Sequence, residues 1–306
     1  MSGQIMRGHH RVSSTVRAGV LDVAVERSGT RGGWPVVLLH GFPYDVRCYD
    51  QVSMILAEAG ADVVVPYLRG YGGTRFAEER TMRSGQQAAL AHDLLELIEA
   101  LGLAGPIIAG FDWGGRAACL VAALWPGRVA GLVTVSGYNV QKIADAATPE
   151  PPEVERTYWY QNYLHGARGR AGLDAYRGDF ARLLWQEWSP TWHFTESDFQ
   201  ATASSFDNPD FVDVVVHSYR HRYGLVLGDP AYQVTEDRIA LLPQINVPTI
   251  VLDGRHDTID PPRPRVKHEA HFSKLVDYRN LDAGHNTPQE NPREFARAVS
   301  SIRDVL

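Results

Sequence analysis

The stretch Pro106-Ile107-Ile108-Ala109-Gly110-Phe111-Asp112-Trp113-Gly114-Gly115-Arg116-Ala117-Ala118 reads as a short apolar strand that bends sharply and leaves at once as a small-residue helix. Asp112 stands at the apex. Gly110 and Gly114, two residues to either side, allow strand and helix to approach where a Cβ would collide. A carboxylate at that point sits by the unpaired N–H groups and positive dipole end of the helix, so it is expected to be ionised and turned out of the sheet. An Asp at a strand-to-helix junction also serves as an ordinary helix cap, and on this segment alone both readings stand.

The flanking sequence repeats the alternation of strand and helix. Before the bend, residues 13–17 and 20–26 read as an antiparallel hairpin, and Trp34-Pro35-Val36-Val37-Leu38-Leu39 as a central strand covered on both faces, ending in His40-Gly41-Phe42-Pro43. A helix over 47–59, a strand over 62–66, a glycine-rich loop over 67–74 and a helix over 85–101 follow. In the last of these, Leu90, Leu94, Leu97, Ile98 and Leu101 fall at helical spacing. After the bend the helix is expected to reach about Trp125, with another strand over 129–136. The pattern predicts an α/β fold, a doubly wound, mostly parallel sheet whose ligands sit at the carboxyl ends of its strands. His40, Asp112 and the segment after Ser136 then share one rim.

From Gly137 to about Glu236 the strand signals stop. Pro149, Pro151 and Pro152 mark a linker, four of the seven tryptophans (Trp159, Trp185, Trp188 and Trp192) fall within this segment, and Thr195-Glu196-Ser197-Asp198 is an acidic variant of the capping box. The segment is read as a helical cap over 137–236, inserted into a core made of 1–136 and 237–306. Its aromatic residues either form the cap's own core or line a pocket for apolar or aryl groups. Strand signals return at 249–252 and 274–278, and a last helix is expected over 292–305. Between them lie Asp253-Gly254-Arg255-His256-Asp257 and Leu281-Asp282-Ala283-Gly284-His285-Asn286-Thr287-Pro288.

Composition narrows the partners. A formal charge of −6 offers no basic surface for a nucleic-acid backbone. Residues 1–14 carry His9, His10 and Arg11 without an apolar run, which argues against a signal peptide or membrane anchor. Cys48 and Cys119, far apart in predicted helices, fit a reducing compartment, so a cytoplasmic enzyme is the expectation. The twelve histidines show no metal-binding spacing, and neither metal nor cofactor is expected. Oligomeric state is not readable; a homodimer is one option.

Asp112, Asp257 and His285 thus fall at strand ends in the order nucleophile, acid, base, and the chain resembles the α/β-hydrolase family from His40-Gly41-Phe42-Pro43 to its last helix. Most members carry Ser where this chain has Asp112. That resemblance implies direct attack by the Asp112 carboxylate on an sp³ carbon, giving an alkyl ester of the enzyme. Water activated by His285, itself oriented by Asp257, would then hydrolyse the ester, with the backbone N–H groups of Phe42 and Trp113 as oxyanion hole. Asp253 and Asp260 are the other candidates for the acid, whereas Asn139, where some relatives carry an acid, cannot serve.

What leaves in the first step separates two branches that share this nucleophile. An epoxide oxygen departs nearly as basic as hydroxide and needs a donor near pKa ~10, which tyrosine supplies. A halide needs only weakly acidic N–H donors, usually indoles. Tyr158-Trp159-Tyr160-Gln161-Asn162-Tyr163 and His217-Ser218-Tyr219-Arg220-His221-Arg222-Tyr223 are similar to the two segments from which soluble epoxide hydrolases present a pair of phenols. This implies Tyr160 and Tyr219 as donors, with Tyr158, Tyr163 or Tyr223 in their place under another register. Trp113, Trp159, Tyr160 and Tyr219 are the expected substrate contacts, and the partners would be a small epoxide and water. The alternative is a haloalkane or haloacid dehalogenase using the same Asp112, with Trp113 and one of Trp185, Trp188 or Trp192 as halide donors. Phe42 and Trp113 each depart from patterns common in that branch. Arg116 is expected to pair with an acidic residue; facing the pocket instead, it would mark an anionic substrate.

Overall fold

The computed structural model describes residues 11–306, so the reading of His9, His10 and the rest of residues 1–10 lies outside the described residues. Strands β1 (Val12–Ala18), β2 (Leu21–Gly29), β3 (Trp34–Leu39), β4 (Ala61–Pro66), β5 (Arg75–Phe76), β6 (Ile107–Gly110), β7 (Gly131–Val135), β8 (Thr249–Gly254) and β9 (Leu275–Leu281) form one sheet. Its order is β1-β2-β4-β3-β6-β7-β8-β9, with the short β5 on β2. Pairing is antiparallel from β1 through β4 and parallel from there to β9. This is the mostly parallel α/β sheet expected from the alternation. Val36, Val37, Leu38, Val63, Val64, Ile108, Leu132 and Val133 are fully buried along the middle strands, because helices cover both faces of a parallel sheet.

Helices α1 (Asp50–Glu58), α2 (Gln87–Ala100) and α3 (Asp112–Leu124) connect the first half of the sheet. The single helix expected over 47–59 is broken: Val46–Tyr49 is a 3-10 turn, capped by the Asp45 carboxylate accepting from Arg47 N–H at 2.9 Å. The glycine-rich loop over 67–74 leads directly into the short β5, a strand that was not expected. Thr74 Oγ1 accepts from Ala24 N–H at 3.1 Å and donates to Tyr67 O at 2.7 Å, which draws the loop alongside β2.

After β7 the chain leaves the sheet for seven helices: α4 (Pro152–Thr157), α5 (Trp159–Leu164), α6 (Ala167–Ala175), α7 (Arg177–Trp188), α8 (Glu196–Ala203), α9 (Phe211–Arg222) and α10 (Gln233–Ile239). It returns beside its point of departure, Leu132 of β7 pairing with Thr249 of β8. Thr195 and Asp198 form the reciprocal cap at the start of α8. Helices α11 (Arg265–Glu269), α12 (Thr287–Glu290) and α13 (Pro292–Arg303) complete the chain. Phe295, Val299 and Ile302 make the buried stripe of α13. Among the described residues, no helix is long and apolar enough to cross a membrane.

Candidate active site

The strand order reverses at β3, which lies between β4 and β6, and open α/β sheets bind ligands at the carboxyl ends flanking such a reversal. Leu39 pairs with Gly110, so the loop after β3 and the bend after β6 emerge side by side. Asp112 sits at the bend with φ +49, a left-handed conformation that costs a non-glycine residue about 1–3 kcal/mol and is held by its surroundings. Those surroundings admit no side chain where the helix crosses the strand: a Cβ on Gly114 would lie 2.1 Å from Leu39 O. One on Gly41 would lie 2.5 Å from Asp112 Cβ. The close approach lets Phe42 N–H donate to Asp112 Oδ1 at 2.7 Å.

His40 secures this loop. It is fully buried, its Nδ1 lies 3.0 Å from Gly41 O, and its Nε2 accepts from Leu68 N–H at 3.1 Å. Burial pushes its pKa down to about 4, so the ring stays neutral and braces the backbone. Its place on the rim was legible in the sequence, but this bracing was not.

His285 follows β9 and is buried, with Nδ1 2.8 Å from Asp257 Oδ2. Asp257 Oδ1 accepts the backbone N–H groups of Ile259 at 2.9 Å and Asp260 at 3.0 Å, which orients the carboxylate. His285 turns its Nε2 towards Asp112 Oδ2, 3.9 Å away. Burial opposes charge on this ring, but Asp257 and then Asp112 outweigh it and hold the pKa up to about 9. Asp253 turns elsewhere, accepting from Tyr278 Oη and Arg263 N–H at 3.0 Å each. Asp260 lies beside Arg263, 3.6 Å away, and burial pushes its carboxyl up.

Two residues that sequence reasoning passed over hold the His285 loop. The Glu290 carboxylate accepts Gly284 N–H at 2.6 Å, Asn286 N–H at 3.1 Å and the Ser189 hydroxyl at 2.7 Å, while Ser189 Oγ accepts His285 N–H at 2.9 Å. Burial raises the Glu290 carboxyl. Glu290 lies only five positions after His285, a signal that could have been used; Ser189 is remote in sequence and carried none.

From the inserted helices, Tyr160 on α5 and Tyr219 on α9 meet edge to face with ring centroids 5.3 Å apart. Phe42 packs against both, and Tyr219 lies 5.9 Å from the Trp113 ring. Tyr160 Oη accepts from Gln161 Nε2 at 2.7 Å, whereas Tyr219 Oη has no partner among the described residues. Burial raises both phenols well above their usual range, so each keeps its proton.

Trp159, expected at the substrate, is directed away. Its indole donates to Glu187 at 2.9 Å and its ring packs on Phe180. Consecutive residues of α5 point about 100° apart, and Tyr160 takes the inward direction. Trp185 has spent its N–H on Pro43 O at 2.9 Å, and Trp192 packs on Trp185. Trp188 instead lies 5.1 Å from the His285 ring and 5.0 Å from Tyr160, and its indole N–H, like that of Trp113, has no partner among the described residues.

A cavity of about 420 Å³ reaches Asp112 and Tyr160, with Tyr158, Tyr223, Arg116, Arg222, Asp260 and Arg263 also in its wall. Trp113 and Tyr219 are fully buried beside it, packed on Phe42. Tyr163 lies outside it, its Oη filling the space where a Cβ on Gly172 would stand. Charged and amide side chains dominate the wall, so the expectation of an apolar or aryl pocket from the aromatic residues is not met. Those rings were consumed by packing on Phe42 and on one another. Arg116 finds no acidic partner among the described residues either: its Nη1 donates only to Gln141 Oε1, at 3.3 Å.

A parallel sheet with this bend after β6 defines an α/β hydrolase, and residues 35–292 match the alpha/beta hydrolase fold family. The chain belongs to that family. Among solved structures it is similar to a candidate epoxide hydrolase from Klebsiella pneumoniae, at 44% identity over 96% of this chain and 97% of that one, with a TM-score of 0.93. Among curated proteins it is 36% identical over 101 residues to epoxide hydrolase B of Mycobacterium tuberculosis, covering 33% of this chain but only 28% of that protein's length. Epoxide hydrolase A of the same organism is 29% identical over 141 residues, 46% of this chain and 42% of its own length.

Proposed function

We propose that the protein is an epoxide hydrolase that opens an epoxide to a vicinal diol through an ester on Asp112. The observation that carries this reading is the convergence, around one carboxylate, of Phe42 N–H, the His285–Asp257 pair, and two buried, protonated phenols. The relatives named as epoxide hydrolases support it.

Asp112 Oδ2 attacks a ring carbon while the carbon–oxygen bond of the epoxide breaks. The departing oxygen takes its proton from Tyr219 or Tyr160, preventing release of a free alkoxide. Nε2 of His285 then removes a proton from water as it adds to the ester carbonyl, and the oxyanion forms where Phe42 N–H already points, with Trp113 N–H in the first turn of α3 beside it. Collapse expels the diol with a proton returned from His285, and the proton that water leaves on the Asp112 carboxyl passes by way of solvent to the phenolate. Esterification neutralises Asp112, one of the charges holding the His285 pKa up, so the base is released when it is needed. Helices within 137–236 act as the cap that carries the phenols. Substrate and water suffice as partners, without cofactor, and the two free buried cysteines suit a cytoplasmic setting.

His285→Gln should form the ester and stop, giving a protein heavier by one substrate. In a single turnover in ¹⁸O water the wild type should release diol without label and retain the heavy oxygen in Asp112. Labelled diol from that first turnover would mean that water attacks the epoxide directly.

The unpartnered indole N–H groups of Trp113 and Trp188 favour one second reading, halide displacement by the same Asp112. Halide release from haloalkanes or haloacids, undiminished by Tyr160→Phe and Tyr219→Phe and without diol from any epoxide, would select it.

A further inference from the structure

The wall of the cavity beside Asp112 holds four cations, Arg116, Lys142, Arg222 and Arg263, among the carboxylates of Asp112, Asp145, Glu150, Glu155 and Asp260, and not every cation is paired. Lys142 pairs with Asp145 at 3.1 Å and Arg263 with Asp260 at 3.6 Å. Arg116 and Arg222 make no ion pair among the described residues. Arg116, on α3 one turn beyond Asp112, has a buried Nε without a partner, and its single side-chain hydrogen bond is the 3.3 Å contact to Gln141. Arg222, the last residue of α9, lies over the Tyr219 ring at 5.0 Å. Gln141 joins the two, accepting from Arg116 and donating through Nε2 to Arg222 O at 3.2 Å. Burial and the neighbouring Arg222 push the Arg116 pKa down to about 10. An arginine that serves only the fold has its donors occupied, as Arg69 does on Asp93 and Ser84 O. Two neighbouring guanidinium groups in one cavity wall with donors to spare instead make a receptor for an anion.

We infer that Arg116 and Arg222 bind a carboxylate on the substrate, making the preferred substrate a small 2,3-epoxy acid and the product a 2,3-dihydroxy acid. This rests on the assignment of Asp112 as nucleophile. Two features choose a carboxylate over a phosphate. Asp112 shares the wall, so a dianion meets stronger repulsion than a monoanion. Asp112 and Arg116 lie about one helical turn apart and line the same wall, so a small molecule with its acid beside the epoxide spans both. The acid therefore adjoins the epoxide.

The test compares glycidate with glycidamide, its uncharged isostere, and includes styrene oxide. Wild-type kcat/KM should favour glycidate by about 10- to 100-fold, the range for a charged hydrogen-bonded contact. The carboxylate itself discourages attack by another anion, so any preference understates the contribution of the site. Arg116→Gln and Arg222→Gln should each collapse the glycidate-to-glycidamide ratio towards unity; being a ratio, it does not depend on the fraction of variant that folds. Diol from both compounds at equal kcat/KM overturns the subsite and leaves the Asp112 reaction standing, as does turnover of styrene oxide with glycidate refused. Absence of diol from all three, with no adduct on His285→Gln, overturns the reaction and the subsite with it.

Discussion

The sheet rim and the inserted helices hold the groups of the proposed reaction in different ways. On the rim, Asp112 is fixed by a strained turn and by Phe42 N–H, and both oxygens of Asp257 are engaged. His285 is tied at its ring and at its backbone. The inserted helices press hydrogen-bonding atoms into the same space and leave some unused, Tyr219 Oη and Trp188 Nε1 among them. Backbone geometry sets the rim in advance, whereas the overlying groups remain open to a partner that arrives. Chemistry that requires fixed positions belongs to the first region, and adaptation to a leaving group belongs to the second.

The largest test of this division is Asp112→Ala, which should lower turnover by at least about 10⁴-fold while leaving the fold intact, since it removes the only bond-forming atom. Retention of more than a hundredth of the activity in a steady-state diol assay would place the nucleophile elsewhere. Next comes the pair of phenols. Either can reach the departing oxygen, so Tyr160→Phe or Tyr219→Phe alone should slow alkylation by about 10-fold and the double change by about 10³-fold, within the range of general acid catalysis. Tyr160→Phe should be the costlier single change in single-turnover kinetics, because Gln161 donates to Tyr160 Oη, steadying the phenolate that forms there while leaving the phenol proton free to transfer. Equal, additive losses would show that the two phenols act independently.

The same division explains what could be read without coordinates. The bend was legible because Gly110, Asp112 and Gly114 are local and each has a steric reason to be there. Asp257 and His285 were legible because a parallel strand must end before a loop, and the sheet brings such ends together. The segment 137–236 offered aromatic residues in abundance, but adjacency in sequence does not say which ring faces inward. Tyr160 and Trp159 are neighbours, and only Tyr160 reaches the cavity. Arg116 misled for a related reason. An arginine on a helix normally finds an acid, and only the placement of Gln141 and Arg222 shows that this one does not among the described residues.

A smaller effect, set on the rim, is the pH dependence of ester hydrolysis. His285 must be neutral to act as base, and in the free protein its pKa stands at about 9. Loss of the Asp112 charge in the ester lowers that value, so hydrolysis should rise with pH up to a limb below about 9 and level off beyond it. Asp257→Asn removes the largest of the charges that raise the pKa. Its limb should move to lower pH and its plateau fall by about 10²-fold, as orientation of the ring is lost. A limb that stays in place in stopped-flow traces would show that Asp257 does not set the basicity of His285.

The smallest effect probes the seam between the two regions. Ser189 belongs to the inserted segment, yet its hydroxyl takes the backbone N–H of His285 and gives its own proton to Glu290, which also holds Gly284 and Asn286. Ser189→Ala leaves that buried N–H without an acceptor, at a cost of about 1–3 kcal/mol in stability. If the seam positions the base, ester hydrolysis should slow by about 5- to 10-fold, the rate equivalent of about 1 kcal/mol or slightly more, with much less change in alkylation. Ser189→Thr, which keeps the hydroxyl, should restore most of the loss. A merely structural serine would slow both steps alike through the lost folded fraction, so the split between the two rates, read by quenching single turnovers and weighing the protein, separates a device that aligns His285 from one that only fastens the helices down.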